Sequence, residues 1–173
     1  MNEVIKAMLE RRSVRRFKPD MPKKEDIDSI IEAGLYAPSG MNRQSAIIVA
    51  VTDKKFRGKL AADNAAIMGR EGDDPFYGAP VVLIVLARKD AFTGIYDGSL
   101  VMENLMLAAH SLGLGSIWIH RAKEEFETEE YKKILRDLGA EGEYEGVGHC
   151  AIGYADCPTP GPAPRKDGRV FYI

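Results

Sequence analysis

Apolar residues spaced three and four positions apart predict helices along much of the chain. This spacing indicates helices at residues 3–11, 24–36 and 54–67. Residues 97–112 are apolar nearly all round, which is typical of a central helix or of one at a subunit interface. A last helix is expected at residues 128–138.

Short apolar runs between these helices predict strands. The strands are expected at residues 47–51, 81–86, 116–120 and 147–153. The second run is apolar at every position, as expected of a fully buried strand. A polar stretch at residues 69–80 predicts a long loop, and loops of that length in compact domains are usually functional or disordered. No repeat and no second domain is visible, so residues 1–173 are interpreted as a single domain.

The residues after the last predicted strand cannot form a helix. Four prolines lie within seven residues between Pro158 and Pro164, and proline removes the backbone donors that a helix needs. The final residues, Val170 to Ile173, are nevertheless apolar and need a place to be buried. We therefore expect residues 157–173 to form an extended arm that docks on a second subunit.

Composition excludes several classes of protein. A chain of 173 residues with 45% hydrophobic and 29% charged residues fits one globular domain rather than a disordered segment. Its formal charge of −2 argues against a dedicated nucleic-acid binder. The longest apolar run, residues 79–87, is far shorter than the ~20 residues that span a bilayer. We expect a cytoplasmic protein without a signal peptide.

The residues that serve metal or nucleophile chemistry are scarce. Two cysteines cannot make a disulfide framework or a four-ligand zinc site, and His110, His120 and His149 show no metal spacing. We expect no metal site, although His120 ends a predicted strand where a ligand can lie. The acidic residues between 124 and 130 are interpreted as helix-start charge on a solvated surface.

The strongest local feature is the basic motif RRSVRRFK at residues 11–18, in which five of eight residues are cationic. If the motif is extended, alternation places Arg11, Ser13 and Arg15 on one side. Two guanidinium groups beside a hydroxyl can clamp a phosphate through charge-assisted bonds. A second cationic cluster at 165–169 favours the phosphate clamp. A solvated cationic surface and a nucleic-acid patch are the alternatives.

The usual nucleotide fingerprints are absent. Gly113-Leu114-Gly115 lacks the third glycine of the dinucleotide motif and leads from a helix into a strand, which is the reverse of that motif's order. No Walker A sequence is present. Few acids, bases or nucleophiles lie beside the phosphate clamp, which indicates that an organic cofactor supplies the chemistry while the protein holds and orients it.

Six segments, taken in order, resemble the FMN-dependent nitroreductase family in its short version. They are RRSVRRF, APSGMNRQ at 37–44, DPFYGAP at 74–80, NLMLAAHSLGLGSIWI at 104–119, AIGY at 151–154 and PAPRK in the tail. The resemblance implies an α+β homodimer with a central, mostly antiparallel sheet flanked by helices. It also implies that FMN binds non-covalently at the subunit interface and that the C-terminal arms are exchanged.

The resemblance further implies which residues hold the flavin. Arg11, Arg12 and Ser13 would hold the phosphate and the ribityl chain. Arg15 would lie near the N1/O2 edge of the ring, where it stabilises the anionic reduced flavin. Asn64 is the candidate amide partner of the pyrimidine edge. A loop of the second subunit would cover the ring, with the residues Pro38, Ser39, Gly40, Met41 and Asn42. A strand end would lie beside the ring, with the residues Ile117, Trp118, Ile119, His120 and Arg121. Two cations of the tail, Arg165 and Lys166, would complete the phosphate site.

The family's activity is the last implication. NAD(P)H would reduce the flavin at N5, and a nitroaromatic, a quinone or a similar acceptor would reoxidise it in a ping-pong sequence, with no side chain required as a catalyst. The alternatives are an FMN-binding or storage protein and a flavoprotein reduced by a protein donor such as ferredoxin. One departure concerns Ser45 and Ala46, which follow Gln44 where family members commonly have proline and an aromatic residue.

Overall fold

A computed structural model describes all residues, 1–173, as six helices and four strands. The helices are α1 (Glu3–Glu10), α2 (Lys24–Leu35), α3 (Lys54–Ile67), α4 (Gly94–Ser111), α5 (Ala122–Phe126) and α6 (Glu129–Asp137). The strands are β1 (Ala46–Val51), β2 (Val81–Arg88), β3 (Gly115–Ile119) and β4 (Tyr144–Gly153). None of the helices combines the length and the apolar character needed to cross a membrane.

The four strands form one sheet in the order β1-β2-β4-β3. All three neighbouring pairs are antiparallel, which confirms the α+β class and the mostly antiparallel sheet. Every residue of β2 except Arg88 is buried, because β2 lies inside the sheet and helices cover both of its faces. β1 is an edge strand, and its outer side has no partner strand.

Helices pack on both faces of the sheet. On one face α3, α5 and α6 supply Leu60, Phe126 and Leu135 to the core. On the other face α2 and α4 supply Ile30 and Leu105. Helices α2 and α4 approach closely because α2 carries a glycine at the contact: a Cβ at Gly34 would lie 2.6 Å from Leu105 Cδ2. The most apolar helix, α4, therefore packs against the sheet, which is one of the two positions expected for it.

Three elements differ from the sequence prediction, namely α4, α5 and β4, which begins at Tyr144 rather than Val147. Helix α4 begins at Gly94 rather than Asp97, since Asp97 N already donates to Thr93 O at 2.8 Å. The five-residue helix α5 was not expected, because so short a helix carries no periodic pattern. Glu125 lies in α5 with no exposed surface, so the interpretation of the acidic run as a solvated surface is wrong for this residue.

The tail leaves the core after β4. All residues from 158 to 173 are exposed and contain no helix or strand. Phe171 and Tyr172 are 84% and 94% exposed. The apolar end of the tail is therefore not buried against its own chain.

Candidate functional site

A cleft of about 270 Å³ opens where the basic motif passes the start of β3. Its lining includes Arg11 and Arg12 from the motif, His110 from the last turn of α4, Ser116 from β3 and Thr159 from the tail. Residues from both ends of the chain thus meet at one place.

The basic motif is extended, which is the condition under which the sequence groups Arg11, Ser13 and Arg15 on one side. The helix α1 ends before Arg11, whose φ of −54° and ψ of 133° lead the chain away from the helix. Val14 N then donates to Ser116 O at 3.1 Å, which fixes the motif along β3. Val14 and Phe17 are buried in the core, so the backbone of the motif is held while Arg15 is exposed.

Arg12 departs from the predicted alternation. Its guanidinium group folds back on the end of α1, where it donates to Leu9 O at 2.7 Å and to Arg11 O. The cleft is therefore lined by Arg11 together with Arg12, whereas Ser13 and Arg15 lie outside its lining. The alternation that grouped Arg11 with Ser13 and Arg15 does not describe the cleft.

Three residues of this lining have a buried polar atom without a hydrogen-bond partner. These atoms are Arg11 Nη1, Arg12 Nε and Ser116 Oγ. Buried polar groups are nearly always paired in folded proteins, so unpartnered donors in a cleft favour a ligand rich in acceptor oxygens. A phosphate has three such oxygens and a negative charge that suits two guanidinium groups. The residues present therefore fit a phosphate group.

The two tail cations do not reach this cleft in the single chain. Arg165 and Lys166 are exposed and are absent from the lining. Only the start of the tail lies beside the basic motif, where Asp156 N donates to Arg16 O at 2.9 Å. The structure therefore brings Arg11 and Arg12 of the basic motif to the cleft and leaves the second cationic cluster exposed in the tail.

The loop predicted to cover a flavin ring has an unusual backbone. Met41, Asn42 and Gln44 have φ values of 52°, 53° and 49°, in the left-handed region that non-glycine residues seldom adopt. Each such residue costs about 1–3 kcal/mol and persists only where its surroundings hold it. Ser39 provides part of that support, since its Oγ accepts a hydrogen bond from Gln44 N at 2.9 Å. Within the same chain Pro38 and Met41 are exposed.

A buried carboxylate in α4 supplies the rest of the support. Asp97 accepts hydrogen bonds from Gly40 N at 3.0 Å, from Ser45 Oγ at 2.7 Å and from Thr93 Oγ1 at 3.1 Å. Burial acts to raise the pKa of Asp97, but these three hydrogen bonds outweigh it and hold the pKa below its ordinary value. The ionised carboxylate therefore joins the covering loop to α4, and Ser45 has a structural role at the position where the family pattern departs.

The end of β3 presents two different faces. Ile117 and Ile119 are buried in the core on the side of α3 and α5. Trp118 packs on the opposite face, over Gly148. The contact is close, since a Cβ added at Gly148 would lie 2.2 Å from Trp118 Nε1. This Nε1 is buried without a partner. The exposed ring of His120 lies 6.1 Å from the Trp118 ring, measured between ring centroids.

The turn after β3 is held by Asn64. Arg121 has a φ of 79°, and its Nε donates to Asn64 Oδ1 at 2.9 Å. Asn64 Nδ2 donates to His120 O at 3.0 Å and to Glu125 Oε1 at 2.8 Å. Asn64 has no exposed surface, so the structure gives it no free atom for the direct flavin contact expected from the sequence. Its observed role is to hold the turn.

The sequence interpretation missed a buried pair below this turn. His149 Nε2 lies 2.7 Å from Glu125 Oε2, and both side chains have no exposed surface. His149 Nδ1 lies 3.3 Å from Ile119 O. For His149, its position within an almost entirely apolar strand was a sign that the side chain is buried. For Glu125, which lies within an acidic run, the sequence contains no such sign.

Comparisons with known proteins identify relatives of this chain. A family model described as "Nitroreductase family" matches residues 8–154. An NADPH-flavin oxidoreductase of Vibrio harveyi is 34% identical over 129 residues, which cover 69% of this chain and 54% of that protein, so this chain spans about half of that relative's length. The structure of a nitroreductase with bound FMN from Bacteroides fragilis matches all of both chains, with a TM-score of 0.88 and 27% identity. A nitroreductase with bound FMN from Desulfitobacterium hafniense has a TM-score of 0.87 and 29% identity, over 100% of this chain and 99% of that chain.

Proposed function

Since this chain belongs to the nitroreductase family, we propose that it binds FMN and acts as an NAD(P)H-dependent oxidoreductase. The observation that carries the proposal is the cleft at the start of β3, in which Arg11, Arg12 and Ser116 have buried donors without partners. The FMN found in two relatives of the same fold has a phosphate of the kind that these donors fit. The NADPH-flavin oxidoreductase relative supports a nicotinamide as reductant.

The residues of this chain would hold the cofactor at three places. Arg11, Arg12 and Ser13 would bind the phosphate and the ribityl chain, and the exposed tail cations Arg165 and Lys166 would complete the phosphate site. Arg15 is exposed and free to reach the N1/O2 edge of the ring. A cation at that edge stabilises the negative charge that develops there on reduction.

The ring itself would lie beside Ile117–Arg121 at the end of β3, with residues 38–42 of a second subunit covering it. Strand ends offer backbone N–H groups that no longer take part in sheet pairing, and such donors suit the N5 edge of a flavin. Bound FMN supplies the redox chemistry, namely hydride uptake at N5 from NAD(P)H and transfer to a nitroaromatic, a quinone or a similar acceptor in a ping-pong sequence. The chain's own part is to bind, orient and cover the ring.

We place this activity in a homodimer with exchanged arms. On α1 the apolar side chains Val4, Ile5, Met8 and Leu9 are between 47% and 63% exposed, which is unusual for an amphipathic helix in a single chain. An apolar cleft of about 650 Å³ runs between the open edge of β1 and α6. Open sheet edges are normally covered, and the exposed apolar residues 170–173 of a second subunit are suited to cover this one.

The first experiment measures bound flavin and its reduction. Purified protein is expected to be yellow, to hold one FMN per chain and to lose its colour under anaerobic NADH or NADPH. Reoxidation with a panel of nitroaromatics and quinones then identifies the acceptor class. A chain that binds no flavin contradicts the proposal. Bound flavin that resists both nicotinamides would indicate a storage role or a protein donor such as ferredoxin.

A pair of variants tests the phosphate site itself. Arg11→Ala removes an unpartnered guanidinium from the cleft, whereas the control Arg16→Ala removes an exposed one that pairs with Asp156. A charged hydrogen bond contributes about 1.5–3 kcal/mol, so Arg11→Ala should raise the Kd for FMN roughly ten- to hundredfold. The control should leave the Kd within about twofold. Equal Kd values for both variants would remove Arg11 from the site.

A further inference from the structure

The pair formed by Glu125 and His149 is an unusual component of an apolar core. Both side chains are fully buried, and the atoms Glu125 Oε2 and His149 Nε2 lie 2.7 Å apart. Taking such groups out of water costs several kcal/mol, and apolar side chains of similar volume often stabilise a core equally well. Packing alone therefore does not explain why these two residues occupy this place.

The contacts of the pair lead to one segment, the turn Ile119–Arg121. His149 Nδ1 reaches Ile119 O at 3.3 Å. Glu125 Oε1 accepts from Asn64 Nδ2, which also donates to His120 O at 3.0 Å. Three consecutive residues of the turn are thus held, because Arg121 Nε donates to Asn64 Oδ1 as well.

The turn needs this support because the sheet does not provide it. β3 ends at Ile119, so the next two residues have no strand partner. Arg121 adopts a left-handed backbone with a φ of 79°, which a non-glycine residue adopts only where its surroundings hold it. The side chains that hold it come from three different elements, namely Asn64 in α3, Glu125 in α5 and His149 in β4.

His149 lies between two oxygen atoms, since its Nδ1 faces Ile119 O and its Nε2 faces Glu125 Oε2. The imidazole therefore joins the turn to Glu125. A glutamine at position 125 can donate to Nε2 and still accept from Asn64, so it preserves the geometry without a carboxylate.

We propose that Glu125 and His149 are positioning residues that hold the turn Ile119–Arg121 in place for the flavin ring. The inference rests on the proposed function, which puts the ring beside this segment. Without the pair the turn relaxes, and any backbone donor that it aims at the flavin moves away. The consequence is weaker FMN binding and a changed electronic environment of the bound ring, in addition to lower stability.

The test compares three variants of the full-length holoenzyme. Glu125→Ala breaks the network, Glu125→Gln preserves its hydrogen bonds, and Leu60→Ala removes a buried side chain on the same face of the sheet outside the network. For each variant, equilibrium dialysis gives the Kd for FMN, visible absorption gives the band position of the bound flavin, and heating gives the Tm. Glu125→Ala should raise the Kd tenfold or more and shift the absorption band. Glu125→Gln should stay within about twofold of the wild type.

The control defines the result that overturns the inference. Leu60→Ala should lower the Tm while the Kd and the absorption band stay unchanged. If Glu125→Ala shows that same pattern, the pair is only structural and the inference is wrong. If Glu125→Ala does not fold, His149→Leu replaces it, because it removes the contacts to Ile119 O and Glu125 Oε2 and carries the same expectation. A wild-type chain that binds no FMN overturns the proposed function together with the inference.

Discussion

The substitution Asp97→Asn tests how the covering loop is held. In the wild type Asp97 Oδ1 accepts from Gly40 N, while Oδ2 accepts from Ser45 Oγ and Thr93 Oγ1. An asparagine has one oxygen, which can keep the bond from Gly40 N, and its NH₂ group can donate to the two hydroxyl oxygens, but none of these bonds then involves a charge. The change is nearly isosteric, so its effect reports the hydrogen bonds rather than the packing.

The expected magnitude follows from those contacts. A hydrogen bond to a charged group contributes about 1.5–3 kcal/mol. A neutral hydrogen bond contributes about 0.5–1.5 kcal/mol, so each of the three bonds is weakened by roughly 1 kcal/mol when the charge is removed. We therefore expect the free energy of unfolding to fall by about 1–3 kcal/mol at pH 7. The strained backbone at Met41 and Asn42 is then held less firmly, so FMN binding should weaken as well.

The pH dependence gives an independent check of the sign. The pKa of Asp97 is lower in the folded protein than in the unfolded chain, where an aspartate has its ordinary pKa of about 3.9. Its contribution to stability is therefore complete above that unfolded value and is lost as the pH falls through the folded pKa. The stability difference between wild type and Asp97→Asn should stay constant from pH 6 to 8 and shrink below about pH 4.

Urea unfolding across this pH range measures the difference, with Asp28→Asn as the control. Asp28 is exposed and pairs only with Lys24 one helical turn away, and such pairs contribute about 0.3–0.5 kcal/mol. A loss below about 0.5 kcal/mol for Asp97→Asn at pH 7, or a loss that does not shrink in acid, would refute the role of Asp97 as the anchor of the loop.

Three further predictions concern charge, packing and assembly. Arg15→Glu should raise the Kd for FMN, measured by equilibrium dialysis, at least tenfold, because a favourable contact of about 1.5–3 kcal/mol becomes repulsive. The control Lys18→Glu makes the same change of charge nearby, and equal Kd values for the two variants would exclude Arg15 from the site. Gly146→Ala should lower the free energy of unfolding by about 1–3 kcal/mol, since its Cβ would lie 2.1 Å from the α5 backbone. The control is Gly58→Ala, whose Cβ meets nothing within 4 Å, and equal Tm values for the two variants would contradict the predicted clash at Gly146. Removal of residues 157–173 should give monomers or insoluble protein in sedimentation experiments, and a stable, active dimer would refute the exchanged arm.

The elements that the sequence predicted well are those with several turns or a continuous apolar run. α3 and α6 end within one residue of the expected positions, because their apolar positions repeat over more than two turns. α5 has five residues, and its only signal was an acidic run that also fits an exposed surface. Its burial depends on a distant residue, since Gly146 in β4 leaves the space into which the start of α5 packs.

The candidate site was likewise predicted only in part from the sequence. The cationic motif was visible because five charges in eight residues are unusual, and the structure places Arg11 and Arg12 in a cleft. The role of Asn64 was not visible, since its amide is held by groups 56 to 61 residues away in the chain. One local signal did exist: Asn64 follows Leu60 by one helical turn, so both lie on the buried face of α3.

Trp118 is the only tryptophan of the chain. It lies near the end of β3, and its indole packs over Gly148 of β4. Indole emission from this protein therefore originates at a single point, next to the turn described above. Flavins absorb light at the wavelengths that indole emits, so a ring bound nearby would quench the signal by energy transfer. The protein thus contains its own optical reporter of cofactor occupancy, and no dye needs to be attached.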